Sequence, residues 1–421
     1  LRKNFFCNLA ANVVLMGSRW AVVVVLAKFG NAEMIGALML ALAVSAPFIA
    51  LANLALRNAM TTDVQGEYRF GDYLAVRLVA SLLAMIGICA TVGVVGYEPR
   101  LALIILVVAL SRVFELLSDV FFGLFQKHER MDWIAVSCFL RESVAIGLLA
   151  AGVALTGELL WGVLALPLAF AASFFCYDLR KARWMRREME ASVGEARRAE
   201  LDSLRLRWHG RSMLRLIWTT VPLGIVMMLI SLLVSIPRYV VGHYMGEHVL
   251  GIFGAIGALT TSGAIIVTAL GNSTSPRMAK QFAAGEFAAY WSLLLRQLGL
   301  VACMGAAAVS AMAMVGGPIL TVLYDAEIGQ YTRLAVYLMI AAVLINLNGP
   351  LGRALDATRR FPFHLAVRLL NVLVLLALLP ALVSRQGMEG AAMAMIVSTL
   401  VSAVAYVAAI CLAIRQRRSG A

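Results

Sequence analysis

Charge is scarce in this chain. Of its 421 residues only 14% are charged and 62% are hydrophobic, where a soluble domain carries about a quarter charged residues. That shortage excludes an ordinary water-soluble fold. The apolar residues instead fall in long runs, many close to the roughly 20 residues that cross a bilayer as a helix, and they define an integral membrane protein.

Other signatures are missing as well. The six cysteines, Cys7, Cys89, Cys138, Cys176, Cys303 and Cys411, have no neighbours at metal-ligand or redox spacing, so they are expected to be small buried hydrophobes. The five histidines are scattered. His243 and His248 flank a short turn, the single metal-like or pH-sensing spacing, and no metal site is expected from them. No glycine-rich lysine loop offers a cradle for nucleotide phosphates. No outer loop is large enough to carry paired catalytic His, Asp or Glu, which argues against a membrane ligase or polymerase.

What is present is a regular alternation of apolar runs and short connections. Twelve helical spans are expected, at about 4–28, 33–56, 73–97, 101–126, 133–156, 158–179, 214–243, 248–272, 289–314, 330–352, 363–384 and 388–414. The first lacks a small-residue cleavage site and reads as a retained span, not a signal peptide. With both termini placed in the cytoplasm, most of the 36 Lys and Arg fall on the cytoplasmic side, and only Lys28, Arg100 and Arg385 fall opposite. This is the positive-inside bias. The net charge of +13 is therefore a topology signal and not a nucleic-acid signal. Part of it lies in the single long connection, 180–213, whose mixed charges and helical pattern suit an amphipathic helix on anionic headgroups.

That connection divides the spans into lobes at 1–179 and 214–421, and the lobes echo each other. Glu33–Leu38 ("EMIGAL") matches His248–Phe253 ("HVLGIF"), Ala55–Asn58 ("ALRN") matches Ala269–Asn272 ("ALGN"), and Phe70–Tyr73 ("FGDY") matches Phe287–Tyr290 ("FAAY"). Six spans bring each repeat in from the same side, so the repeats are parallel and related by an axis along the membrane normal. The expected fold is all-α: two six-helix lobes with pseudo-two-fold symmetry around a central cavity, the architecture of a transporter.

Ionisable groups inside spans mark pathways or partners. Arg112, Glu115 and Asp119 share one face of the fourth span, and Arg141 and Glu142 lie at similar depth on the fifth. They read either as a salt-bridge cluster joining two helices or as a coupling site for H⁺ or Na⁺. Arg19 and Arg238 have no acid one turn away on their own helices and occupy equivalent first spans of the two lobes. Arg77 and Arg368 are expected to snorkel to the cytoplasmic edge, Arg296 is intermediate, and Arg333 is expected at the outer interface. The deep set Arg19, Arg112, Arg141, Arg238 and Arg296 outweighs Glu115, Asp119 and Glu142. Surplus guanidinium suits an anion, and its planar fork suits phosphate oxygens best. Arg19, Arg238, Arg296 and Arg141 are the candidate binding residues of a cationic lumen. A drug or cation exporter on the same plan would need acids in the lumen, and the first span has none. Pro47, Pro167, Pro222, Pro237, Pro350 and Pro380 are the expected kinks.

"SIPRYVVGHYMGEHVLGIFGAIGAL", "ALGNSTSPRMAKQFAAGEF", "FFGLFQKHERMDWIAVSCFLRES" and "YRFGDYLAVRL" resemble bacterial polysaccharide transporters. These are the lipid-linked oligosaccharide (O-antigen type) flippases of the multidrug/oligosaccharidyl-lipid/polysaccharide exporter superfamily. The resemblance implies a bacterial inner-membrane protein that moves a polyprenyl-diphosphate-linked glycan from the cytoplasmic to the outer leaflet by alternating access. It implies no cofactor beyond H⁺ or Na⁺ as a coupling ion. Membrane lipids, a glycan polymerase and glycosyltransferases are the implied partners, and nucleic acid is not one.

Overall fold

Long apolar runs become helices because a bilayer offers backbone groups no water, so every N–H and C=O must be satisfied within the segment. A computed structural model describes residues 2–63, 67–191, 208–260, 264–358 and 361–419, and every element among them is helical. The helices are α1 (Arg2–Phe29), α2 (Ala32–Asn53), α3 (Leu56–Thr62), α4 (Phe70–Val95), α5 (Pro99–Lys127), α6 (Met131–Thr156) and α7 (Leu159–Ser173). A π-helical segment (Phe174–Asp178) joins α7 to α8 (Leu179–Ala191). Then come α9 (Gly210–Thr260), α10 (Ala264–Ala283), α11 (Phe287–Leu323), α12 (Ala326–Gly329), α13 (Thr332–Ala357) and α14 (Phe361–Ser419).

Among the described residues ten helices are long and apolar enough to cross a membrane. Two of these are double. Gly246 (φ 84°) breaks α9 and Gly387 (φ 59°) breaks α14, conformations that residues with a Cβ resist. At Gly387 the chain reverses sharply enough to bring Gly390 against the backbone of Leu382. Counting both arms, with α10 following the second arm of α9 in the chain, gives the twelve spans expected.

Only one break falls where a proline predicts it, at Val315 in the turn before Pro318. Pro47, Pro167, Pro350 and Pro380 sit inside helices that continue past them. Besides the two glycines, the described breaks fall at Leu54–Ala55, at Val315 and in the π segment. Neighbouring helices re-satisfy the groups a membrane proline frees, so proline alone does not mark a bend.

The sixth span also runs further than 179, continuing through the π segment and α8 to Ala191. Residues 192–207 of the long connection lie outside those described. In α8, Lys181 lies over the ring of Trp133, which also stacks edge-on with Trp184 and carries Arg130 on its face at 3.9 Å. Such aromatic–cation stacks suit a headgroup interface. All six cysteines are free, but only Cys138 is buried and four are exposed. That corrects the expectation of burial: an apolar helix facing lipid has no need to hide a small hydrophobe.

The chain forms two compact units, Leu1–Ser235 and Ile236–Ala421. In the first, α5 is central and packs on α2, α4 and α7, while α1 runs along α6. In the second, α13 is central and packs on α10, α11 and α14. The fourth span of each half thus plays the same part, which is the packing a sequence repeat should produce. Each unit has an aromatic-rich core toward its basic end. Phe121, Phe125, Trp133 and Phe174 build the first, and Phe282, Tyr290 and Tyr406 build the second.

Candidate functional site

Three arginines from three helices converge on one carboxylate in the first unit. Arg112 and Glu115 are one turn apart on α5, and Nη1 donates to Oε2 at 2.6 Å. The other oxygen, Glu115 Oε1, lies 3.7 Å from Arg19 Nη2 on α1 and 4.0 Å from Arg141 Nη2 on α6. Arg141 also grips its chain neighbour, with Nη2 and Nε donating to Glu142 Oε1 at 2.9 and 3.1 Å, and stacks on Phe170. The group holds three guanidinium ions and two carboxylates, so one positive charge is left over.

The members differ in availability. Arg141 is 2% exposed and its Nη1 has no partner. Arg19 is 63% exposed although it lies in the middle of its span, and its contact with Glu115 is long for an ion pair. Arg19 is therefore not the unpaired residue that its own helix suggested, because α5 supplies the acid. Its guanidinium nevertheless retains most of its hydrogen-bonding capacity.

The expected five-residue cluster divides in two. Asp119, two turns from Arg112 on the same face, turns to Arg77 Nη2 at 3.1 Å and Arg57 Nη1 at 3.8 Å. Arg77 does not snorkel. It is fully buried, and its Nη1 donates to the carbonyl oxygens of Ala52 and Asn53 at 3.0 Å each. Those carbonyls are orphaned where α2 ends, because Leu54 and Ala55 both adopt φ 48°. Two successive left-handed residues with side chains are strained, and Arg77 Nη1 binds the two carbonyls just before them. Sequence position alone put Arg77 near the edge. The broken helix beside it makes burial affordable.

In the second half an arginine also binds a main-chain carbonyl, here one inside the first turns of α10. Val267 stands 214 residues after Asn53, at the offset of the repeat. Its carbonyl accepts Arg353 Nη2 at 3.0 Å, from α13. Arg57 and Arg353 each stand one residue past the expected end of a span, where an arginine has no mark of burial in the sequence. Sequence reading also missed the buried amides Asn348 and Asn371, which share Ser402 Oγ at 2.7 and 3.2 Å. Isolated asparagines inside apolar runs were the available signal.

Elsewhere in the second unit, Arg238 on α9 is half-buried and Arg296 on α11 is exposed. Among the described residues neither has a hydrogen-bond or ion-pair partner. Arg333 is exposed and pairs with Glu389 at 3.4 Å. Arg368 is half-buried, with Nε 3.4 Å from His364 Nε2. His248 bonds to Glu327 at 2.7 Å, and His243 stacks on Tyr239. No group of three or more His, Cys, Asp or Glu among the described residues is placed to hold a metal.

An all-helical chain of two compact units, with ten helices of membrane-spanning length and apolarity among the described residues, defines a multi-pass membrane protein with a transporter fold. The sequence profile of the family described as polysaccharide biosynthesis protein matches residues 1–282, and the chain belongs to that family. It is 21% identical over 406 residues to the capsular polysaccharide biosynthesis protein CapF of Staphylococcus aureus, covering 96% of this chain and 98% of CapF. Among solved structures it resembles an inward-facing multidrug resistance MATE family transporter of the MOP superfamily. The TM-score is 0.77 at 12% identity, over 99% of this chain and all (100%) of that one. It also resembles the lipid II flippase MurJ, with TM-score 0.68, 10% identity and coverage of 94% and 86%. A MOP superfamily transporter from Pyrococcus furiosus, described as having a binding pocket of reversed polarity, gives TM-score 0.65 at 13% identity over 98% and 94%.

Proposed function

We propose that the protein is a flippase that carries a polyprenyl-diphosphate-linked oligosaccharide from the cytoplasmic to the outer leaflet of the bacterial inner membrane, both termini being cytoplasmic. It acts as a carrier and not as an enzyme, by alternating access, in surface polysaccharide synthesis. One observation carries the reading: Arg19, Arg112 and Arg141 surround Glu115 at membrane depth with a positive charge in excess. Guanidinium is costly in hydrocarbon, by about 2.5–3.5 kcal/mol on insertion scales, and a phosphorylated headgroup offers it a matched partner. Arg238 and Arg296, unpartnered among the described residues, are further headgroup ligands. Membership of a polysaccharide biosynthesis family and a fold shared with MurJ support the same cargo class.

A cation exporter fits less well, because each acid of the cluster already faces arginine. The energetics need no nucleotide. A diphosphate diester carries about two negative charges, and moving them out of a cell that is negative inside gains about 2.3 kcal/mol per charge per 100 mV.

The test is reconstitution into vesicles with a fluorescent polyprenyl-diphosphate sugar, scoring its accessibility in each leaflet. Exchange well above protein-free vesicles is expected. Exchange no faster than in those vesicles overturns the reading.

A further inference from the structure

The second span breaks where it has neither glycine nor proline. Leu54 and Ala55 both stand at φ 48°. The stretch from Ala50 to Leu56 is alanine and leucine apart from Asn53, and alanine and leucine are strong helix formers. Local preference therefore favours a continuous helix, and two successive left-handed residues work against the break.

Side chains hold the break open. In a continuous helix the carbonyls of Leu51, Ala52 and Asn53 would accept the N–H groups of Ala55, Leu56 and Arg57. Here the Leu51 carbonyl accepts Leu54 N at 3.2 Å, and Arg77 Nη1 serves the other two. The Ala55 N–H donates to Asn53 Oδ1 at 3.1 Å. Past the break, Arg57 ties α3 to α5: its Nε donates to Gln126 Oε1 at 2.9 Å, and its Nη1 lies 3.8 Å from Asp119. Asp119 thus faces one arginine that binds the end of α2 and another that belongs to α3. The seventh span lies against the same place, because a Cβ on Gly224 of α9 would meet the Leu51 carbonyl and the Leu54 side chain at 2.9 Å each. Each of these ties is a side-chain contact that a rotamer change releases.

The second half shows the other form. Val267, Thr268 and Ala269 match Asn53, Leu54 and Ala55 in the repeat, and α10 runs through them unbroken from Ala264 to Ala283. An arginine binds the carbonyl of Val267 there, so arginine at this carbonyl is compatible with a continuous helix. Valine, however, has no side-chain oxygen to take the N–H that Asn53 takes.

We propose that the Asn53–Ala55 break is a conformational switch: the second span alternates between this broken form, held by the Arg77–Asp119 latch, and a continuous helix during transport. Strain held in place by surrounding contacts is what a two-state element requires. Straightening would shift the surface that meets Gly224, and so pass the change to the seventh span. The role in transport rests on the carrier reading above; the two forms of the span do not.

The experiment uses the full chain in lipid nanodiscs, with the six native cysteines replaced and spin labels at Glu33 and Thr62, exposed residues near the outer ends of α2 and α3. Pulsed electron resonance should find two distances in the otherwise unaltered chain. One lies near the roughly 44 Å that 29 residues of unbroken helix span, and the other is shorter. Their ratio should change when the polyprenyl-diphosphate sugar is added. Leu54→Gly should move the ratio about tenfold toward the shorter distance, because glycine takes positive φ freely. Asn53→Val, which removes the acceptor for Ala55 N–H, should move it toward the longer one. Each variant should slow leaflet exchange about tenfold by trapping one form, and Ala55→Gly replaces Asn53→Val if that variant folds poorly. A single short distance with and without the sugar lipid, or a Leu54→Gly protein that exchanges lipid at the unaltered rate, overturns the proposal. Two distances that respond to the variants, without exchange above protein-free vesicles, remove the cargo reading and leave the switch standing.

Discussion

Arg77 Nη2 lies 3.1 Å from Asp119 Oδ2, and the same guanidinium donates to the two carbonyls left open at the end of α2. This pair is a structural latch and not part of a cargo path. Removing one partner of a buried ion pair costs about 3–5 kcal/mol, because the other charge is left uncompensated. Arg77→Met should therefore sharply lower the thermal stability of the detergent-solubilised protein. Arg77→Met combined with Asp119→Leu should recover part of the loss, since the buried carboxylate is gone and Arg57, its other partner, keeps its bond to Gln126. A double variant as unstable as the sum of the two single variants would contradict the latch.

The second-half counterpart gives a different test. A Cβ at Gly271 would collide with the Arg353 guanidinium, which donates to Val267 O. The arginine is flexible and would swing away, giving up a charge-assisted bond worth about 1.5–3 kcal/mol. Gly271→Ala and Arg353→Ala should each destabilise the protein by about that amount. Together they should cost little more than either alone, as a double-mutant cycle would reveal. Fully additive effects would mean that the glycine serves another purpose.

Glycine substitutions also test the turn at Gly387. A Cβ at Gly390 would meet the backbone carbonyl of Leu382, which cannot move aside as a side chain can. Gly390→Ala should cost about 1–3 kcal/mol by overpacking. Gly147, inside α6 with open space around it, should instead gain about 0.5–1 kcal/mol as alanine. Thermal unfolding of the two variants side by side checks both signs.

The helical spans and the two-lobe fold were legible in the sequence because each depends on hydropathy and spacing along the chain. Partner choice was not. Arg19 looked unpaired since its acid comes from α5, and Arg77 looked like an edge residue since the break at Leu54–Ala55 has no proline or glycine to announce it. Asp178 escaped notice for the same reason. It lies inside the expected span 158–179 but in its last turn, where a carboxylate can reach the interface, and the π segment that holds it buried has no sequence signature of its own.

Within the cluster, geometry separates two kinds of arginine. Arg112 is closed on Glu115 at 2.6 Å, whereas Arg19 stands 3.7 Å away with most of its guanidinium open. Arg112→Ala should chiefly destabilise the fold by loosening Glu115. Arg19→Ala should leave insertion and stability near normal, since Glu115 keeps Arg112, and should weaken headgroup binding roughly ten- to hundredfold, the loss of a 1.5–3 kcal/mol charged contact. Arg238→Ala, with no partner among the described residues to disturb, should do the same. Lysine at either position tests what the guanidinium contributes: partial rescue if charge alone is read, and little if the bidentate fork is required. Surface glycan in cells expressing each variant at matched protein levels is the measurement. Normal glycan with both alanine variants would show that these arginines do not hold the cargo.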